Sequence, residues 1–189
     1  MKKIIIVLSI LVILLSSMLV YEFYDKKPQQ RQIVADINPD KAKFIEFYSK
    51  VSEKSDAIDK DYREAFSMFK SIESVEKNRI AYGVALQRSL DASQHLTELL
   101  DLKTPDFVDS TMKSEVDEAK RKLVFAFARK VDLLDQYRKS RIDPASAPAD
   151  AILIRNHNEY LALTISSIIQ IQTAGGKLGI TPAEFVKMQ

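Results

Sequence analysis

Three side chains near the middle of the chain have the types and spacing that could bind a metal ion. Asp91, His95 and Glu98 are separated by four and then three residues, which places them on one side of a helix. Carboxylate oxygens and imidazole nitrogens are common ligands of transition metals. These three residues are therefore the metal-site candidates of the sequence.

The order of the three residues differs from that of a known class of bundle site. Di-iron bundles use a Glu-x-x-His motif on each of two helices and a glutamate on each of two others. In this chain His95 precedes Glu98, and the only other histidine, His157, has Ile154 three residues before it. We therefore expect two ordinary histidines, with no metal ion or cofactor.

The sequence does not support covalent catalysis by a cysteine or serine nucleophile. The chain has no cysteine, which excludes thiolate nucleophiles, disulfides and Cys-based zinc sites. The serines lie in helical stretches, and no Gly-x-Ser-x-Gly turn is present to expose a nucleophilic serine. We predict that the protein is not an enzyme.

A few polar residues interrupt the apolar faces of the expected helices. They could line a small polar cavity for a ligand, or they could only fix how the helices align. A serine is easily satisfied by its own helix backbone, which favours the second interpretation. The residues are Ser55, Ser89, Ser93, Asn158 and Gln172.

These helices follow an uncharged N-terminal run at residues 4–21. Its length is about that of a helix that crosses a membrane. A cleaved signal peptide is the alternative, but the run is long and has no Ala-x-Ala cleavage site. We therefore expect a transmembrane signal-anchor at 4–21, after a cytoplasmic N-terminus at 1–3, and a linker at 22–37.

Basic residues on both sides of the run bear on its orientation. Lys2 and Lys3 favour a cytoplasmic N-terminus, whereas Lys26, Lys27 and Arg31 oppose it. A short basic start usually decides the orientation, so we expect the long C-terminal part to be exported.

The rest of the chain is formally neutral, because beyond the two N-terminal lysines it has 26 basic and 26 acidic residues. A neutral domain has no overall field to attract nucleic acid, and we predict no such partner.

Residues 38–189 have the pattern of a helical-bundle domain. Apolar residues recur at steps of three and four, and no stretch alternates with the period of a strand. Asn38-Pro39 and Thr104-Pro105 predict the starts of the first and third helices. Thr181 and Glu184 fit a capping box for a short last helix. The predicted fold is all-α, with the transmembrane helix followed by an antiparallel four-helix bundle and a short C-terminal helix. If residues 71–77 are a kink and not a turn, the first two helices merge into a rod that forms a coiled-coil oligomer.

The fourth helix, at about 149–174, is unusually apolar, with no charge between Glu159 and Lys177. Such a helix is expected to be buried on more than one side. The C-terminal tail could fold back over it, which we favour, or the helix could bind another chain. The candidate interaction residues are Tyr160, Leu163, Ile165, Ile169 and Gln172.

These features favour a non-enzymatic protein of the bacterial cell envelope, held by a single pass in the inner or plasma membrane. We expect it to act by protein–protein interaction, with an envelope protein or as a homo-oligomer. The alternative is an extracytoplasmic bundle that binds a small ligand or a metal. The layout resembles that of many bacterial envelope proteins, but no motif identifies a family.

Overall fold

The computed structural model describes residues 38–147 and 149–188. All regular secondary structure in these residues is helical, and four main helices form a bundle. The predicted all-α class is therefore confirmed. The predicted anchor at 4–21 and linker at 22–37 lie outside the described residues. The main helices are α1 (Pro39–Ser71), α2 (Arg79–Asp101), α3 (Ser110–Ile142) and α4 (Asp150–Lys177); a 3-10 turn (Pro144–Ser146) precedes α4, and α5 (Pro182–Lys187) follows it.

Two helix starts agree with the capping signals in the sequence. The side-chain oxygen of Asn38 accepts a hydrogen bond from the Asp40 N–H at 3.0 Å, and Pro39 takes the first helical position of α1. Thr181 and Glu184 form a complete capping box at the start of α5. Both predictions are confirmed. Each cap satisfies backbone N–H groups that the helix itself leaves unpaired.

The start of α3 differs from the prediction. The helix begins at Ser110 with Asp109 as its cap, so the predicted start at Thr104-Pro105 is wrong. The Thr104 hydroxyl donates to the Asp117 carboxylate, on the first half of α3. Phe107, in the same connection, is buried in the core. These tertiary contacts hold the segment as a loop.

The connection between α1 and α2 is a turn. Lys54, in the middle of α1, pairs with Glu98 near the end of α2, and the ring of Phe69 near the end of α1 contacts that of Tyr82 near the start of α2. The two helices therefore run antiparallel, and the alternative of one continuous rod is wrong.

α3 packs against α1 and α2, and α4 packs mainly against α3. The buried Ser167 hydroxyl donates to the Ala119 carbonyl at 2.7 Å. Lys177 at the end of α4 pairs with Glu115 near the start of α3 at 2.6 Å. α3 and α4 therefore run antiparallel, and α4 has one side that no other described main helix covers.

The C-terminal tail folds back, as the sequence indicated, but onto the end of the bundle. Leu178, Ile180 and Phe185 are buried there, in the same apolar cluster as Phe44 of α1. Val186 is exposed. The tail therefore leaves the outer side of α4 uncovered. Among the described residues, no helix has both the length and the apolar composition that a membrane crossing requires.

Candidate functional site

The predicted metal-site residues lie in a network of ion pairs between α1 and α2. His95 Nδ1 is 3.3 Å from Glu98 Oε2, and His95 Nε2 is 3.6 Å from the buried Asp61 of α1. Asp91 accepts a hydrogen bond from Gln87 at 2.8 Å. The structure thus brings His95 and Glu98 together, whereas Asp91 bonds within its own helix.

Lysine and arginine side chains form ion pairs with the carboxylates of this network. Lys54 lies 2.8 Å from Glu98, and Arg88 lies 3.2 Å from Asp61 and 2.9 Å from Glu64. The hydrogen bond from Lys54, followed by smaller effects of Gln94 and His95, lowers the pKa of Glu98 to about 2. Within the described residues, no group of three or more His, Asp or Glu side chains is arranged to hold a metal ion. The geometry is that of ion pairing across a helix–helix contact.

Two of the polar seam residues on α1 and α2, Ser55 and Ser93, bond to their own helices. Ser55 donates to the Val51 carbonyl at 2.7 Å, and Ser93 donates to the Ser89 carbonyl at 2.9 Å. These bonds satisfy the hydroxyls locally, which fits a role in helix alignment. Asn158, by contrast, is exposed on α4.

Tyr160 lies on the inner side of α4, although the sequence made it an interaction candidate. Its ring centroid is 4.0 Å from Lys130 Nζ and 6.1 Å from the ring centroid of Phe127 on α3. Lys130 also pairs with Asp59 of α1 and lies over the ring of Tyr62. Burial raises the pKa of Tyr62 to about 12. Tyr160 therefore joins α4 to the bundle and is not presented to a partner.

The opposite side of α4 presents a line of apolar residues to solvent. Leu161, Ile165 and Ile168 are exposed to 38%, 40% and 39%, and Ile169 beside them to 44%. Large contiguous apolar surfaces are uncommon on monomeric proteins, so a line of exposed apolar residues is a candidate for a binding surface. We define the outer face of α4 by six residues: Ile154, Asn158, Leu161, Ile165, Ile168 and Gln172.

The outer face has the spacing of a helix that packs against another helix. Its residues follow one another at steps of four and three, which keeps them in a single line along α4. Sequence reasoning identified two members of the outer face, Ile165 and Gln172, and their neighbour Ile169, but missed Leu161 and Ile168 as interaction residues. Their spacing was visible in the sequence, but selecting them required knowing which side of α4 faces α3.

A cavity of about 320 Å³ lies at the end of the bundle where α3 meets the start of α4. Arg141 donates through Nη1 to the Ile72 carbonyl at 3.2 Å, while its buried Nε has no hydrogen-bond partner in the described part of the chain. No feature of the sequence indicated this cavity. It is lined by Glu73, Tyr137, Ser140, Arg141, Pro144, Ala147 and Leu153.

Comparison with known proteins does not assign the chain to a family. It matches no protein-family model, no curated protein and no solved structure. The function therefore has to be inferred from the geometry of the described residues.

Proposed function

We propose that this protein is a non-enzymatic, membrane-anchored helical bundle that acts by binding another protein chain through the outer face of α4. The observation that carries the proposal is the line of exposed apolar residues along α4, centred on Leu161, Ile165 and Ile168. Removing this surface from water is favourable in proportion to its apolar area, and a partner chain would achieve this.

The chemistry of the face favours a protein over a lipid surface as the partner. Amphipathic helices that lie on membranes combine an apolar face with a polar face rich in Lys and Arg. α4 has no charged residue between Glu159 and Lys177. Its inner side is also already packed on α3, through Ser167 and Tyr160. A helix of another chain fits a narrow uncharged line of this kind.

The proposed location is the cell envelope. Residues 4–21 form an uncharged run preceded by Lys2 and Lys3, which supports a single-pass anchor in the inner or plasma membrane and export of residues 38–189. Extraction of membranes at alkaline pH tests the anchor. The full-length protein should remain in the pellet, and its recovery in the supernatant would contradict this part of the proposal.

Site-specific photo-crosslinking tests the interface. A photoreactive phenylalanine analogue replaces Ile165 in the full-length protein in cells, and the matched control carries it at Leu90, an exposed leucine on α2. We expect a covalent adduct with another chain from position 165 and not from position 90. Adducts from neither position, or equally from both, would contradict the proposal.

The cavity supports a second candidate function, the binding of a small zwitterion. Arg141 and Glu73 place opposite charges in its lining, and Leu153 adds an apolar wall. A guanidinium binds carboxylates well, and a volume of about 320 Å³ suits a small molecule. Native mass spectrometry of the purified full-length protein tests this candidate. A retained small molecule that is lost in Arg141→Gln would support it, and its absence from the wild type would count against it.

A further inference from the structure

We infer that the chain that covers the outer face of α4 is a second copy of the same protein, paired in parallel through α4. This inference rests on the proposed function and specifies the partner. Three properties of the face carry it: its heptad register, its lack of charge and its position relative to the N-terminus of α1.

The register of the face is that of a coiled-coil seam. Alternating steps of four and three residues assign each member to an a or a d position of a heptad. A β-branched residue at a and leucine at d favour a pair of helices, whereas isoleucine at both positions favours three or more. Ile165 and Leu161 at the centre of the face fit the rule for a pair, while the two outer d positions hold isoleucine. The d positions are Ile154, Leu161 and Ile168, and the a positions are Asn158, Ile165 and Gln172.

The polar residues of the seam distinguish the two possible directions of pairing. In a parallel pair each seam residue meets its own copy, so Asn158 meets Asn158 and the two amides can hydrogen-bond. In an antiparallel pair centred on the middle of the face, Asn158 would lie opposite Ile168. A buried amide without a partner is costly. Asn158 makes no side-chain hydrogen bond with another described residue, so its amide can pair with its copy.

The charge pattern allows the face to pair with itself. Charged residues at the e and g positions beside a seam normally select its partner. Here the flanking residues Ala162, Thr164 and Ile169 are uncharged. Two copies therefore bring no like charges together along the central part of the seam.

The N-terminus of α1 favours the same direction. The end of α4 and the start of α1 lie at one end of the bundle, because Gly175 lies close to the ring of Phe44. A parallel pair places the α1 starts of both copies at the same end of the pair. An antiparallel pair places them at opposite ends of α4, roughly 40 Å apart. Two chains anchored in one membrane need their α1 starts at the same end of the pair, and only the parallel arrangement provides this.

Disulfide crosslinking in membranes tests the inference, because the natural chain has no cysteine. Ile154→Cys and Ile168→Cys are made separately in the full-length protein, and Leu90→Cys on α2 is the matched exposed control. Isolated membranes are treated with a mild oxidant and analysed without reduction. We expect both seam variants to form disulfide-linked dimers at least fivefold more than Leu90→Cys. None of the three substitutions should disturb folding, since all three positions are exposed.

The outcomes separate this inference from the proposed function. In an antiparallel pair each of these cysteines is roughly 15 Å or more from its copy, too far for a disulfide. Failure of both variants therefore overturns the parallel homodimer. If the photoreactive group at Ile165 then links to a different protein, the proposed function stands and only the second copy is excluded. If it links to residues 4–21 of the same chain, or to nothing, both fail.

Discussion

The ring of Phe185 in α5 occupies the space that a β-carbon on Gly175 of α4 would need. The same ring packs edge-on against Phe44 and Tyr48 of α1, with centroids 6.1 Å and 5.1 Å away. Gly175 thus lets α5 dock on the end of the bundle. Because the C-terminal tail is held there, it does not cover the outer face of α4.

Replacing Gly175 should test this docking. In Gly175→Ala the new methyl group collides with Phe185, and we expect the free energy of unfolding to fall by about 1–3 kcal/mol. Gly83→Ala is the control, since nothing lies within 4 Å of a β-carbon at that position of α2. That substitution should raise stability by about 0.5–1 kcal/mol through helix propensity. Urea unfolding of the full-length protein in detergent measures both, and a neutral or stabilising Gly175→Ala would contradict the close packing.

Tyr62 should make the fold sensitive to alkaline pH. Burial raises the pKa of its hydroxyl to about 12, whereas a tyrosine in an unfolded chain titrates near 10. Between these values the unfolded chain releases a proton that the folded chain keeps, so stability falls as pH rises. From pH 9 to 11.5 the wild type should lose roughly 1–2 kcal/mol more than Tyr62→Phe. Equal losses would show that the hydroxyl is not buried.

Glu98 should make the stability of the fold sensitive to acid pH. The hydrogen bond from Lys54 lowers its pKa from about 4.5 to about 2. The folded state therefore gains stability from the ionised carboxylate above pH 4.5 and loses it as pH falls towards 2. We expect Glu98→Gln to have a flatter acid unfolding profile than the wild type. The control is Glu76→Gln, because Glu76 is exposed and forms no ion pair with another described residue. If Glu76→Gln and Glu98→Gln had identical acid unfolding profiles, the role of Lys54 would be contradicted.

Helices and caps were predicted well where the signal is local. Asn38-Pro39 and the Thr181–Glu184 box satisfy N–H groups within a few residues of themselves, so their sequence suffices. The start of α3 was predicted wrongly, because Thr104 bonds to Asp117, a residue thirteen positions away. Such tertiary contacts override a local Pro signal and cannot be seen in the pattern alone.

The candidate surface was predicted only in part for a similar reason. The absence of charge along α4 indicated an unusual helix, but not which side α3 would cover. Tyr160 and Ile165 were equally good candidates by composition. Contact with Lys130 places Tyr160 inside, while Ile165 remains exposed. The cavity at Arg141 could not be predicted from the sequence, because the turn after α1, the end of α3, the connection that follows it and the start of α4 all contribute to its lining.

Asn158 should trade stability of the pair for specificity. A polar residue at an a position fixes register and the number of chains, and it weakens the coiled coil. In Asn158→Ile we expect about a tenfold lower dimer dissociation constant, together with species larger than a dimer. Sedimentation of the full-length protein in detergent over a range of concentrations measures both. An unchanged dissociation constant in this variant would show that Asn158 does not lie in the interface.

The most direct test of the central claim is the mass of the full-length protein in detergent, determined by light scattering with the detergent contribution removed. The wild type should have twice the mass of one chain. Ile165→Glu should have the mass of one chain with unchanged far-ultraviolet circular dichroism, because it places like charges opposite each other in the paired seam. Leu90→Glu should remain a dimer. A monomeric wild type, or a dimer that persists in Ile165→Glu, would contradict pairing through the outer face of α4.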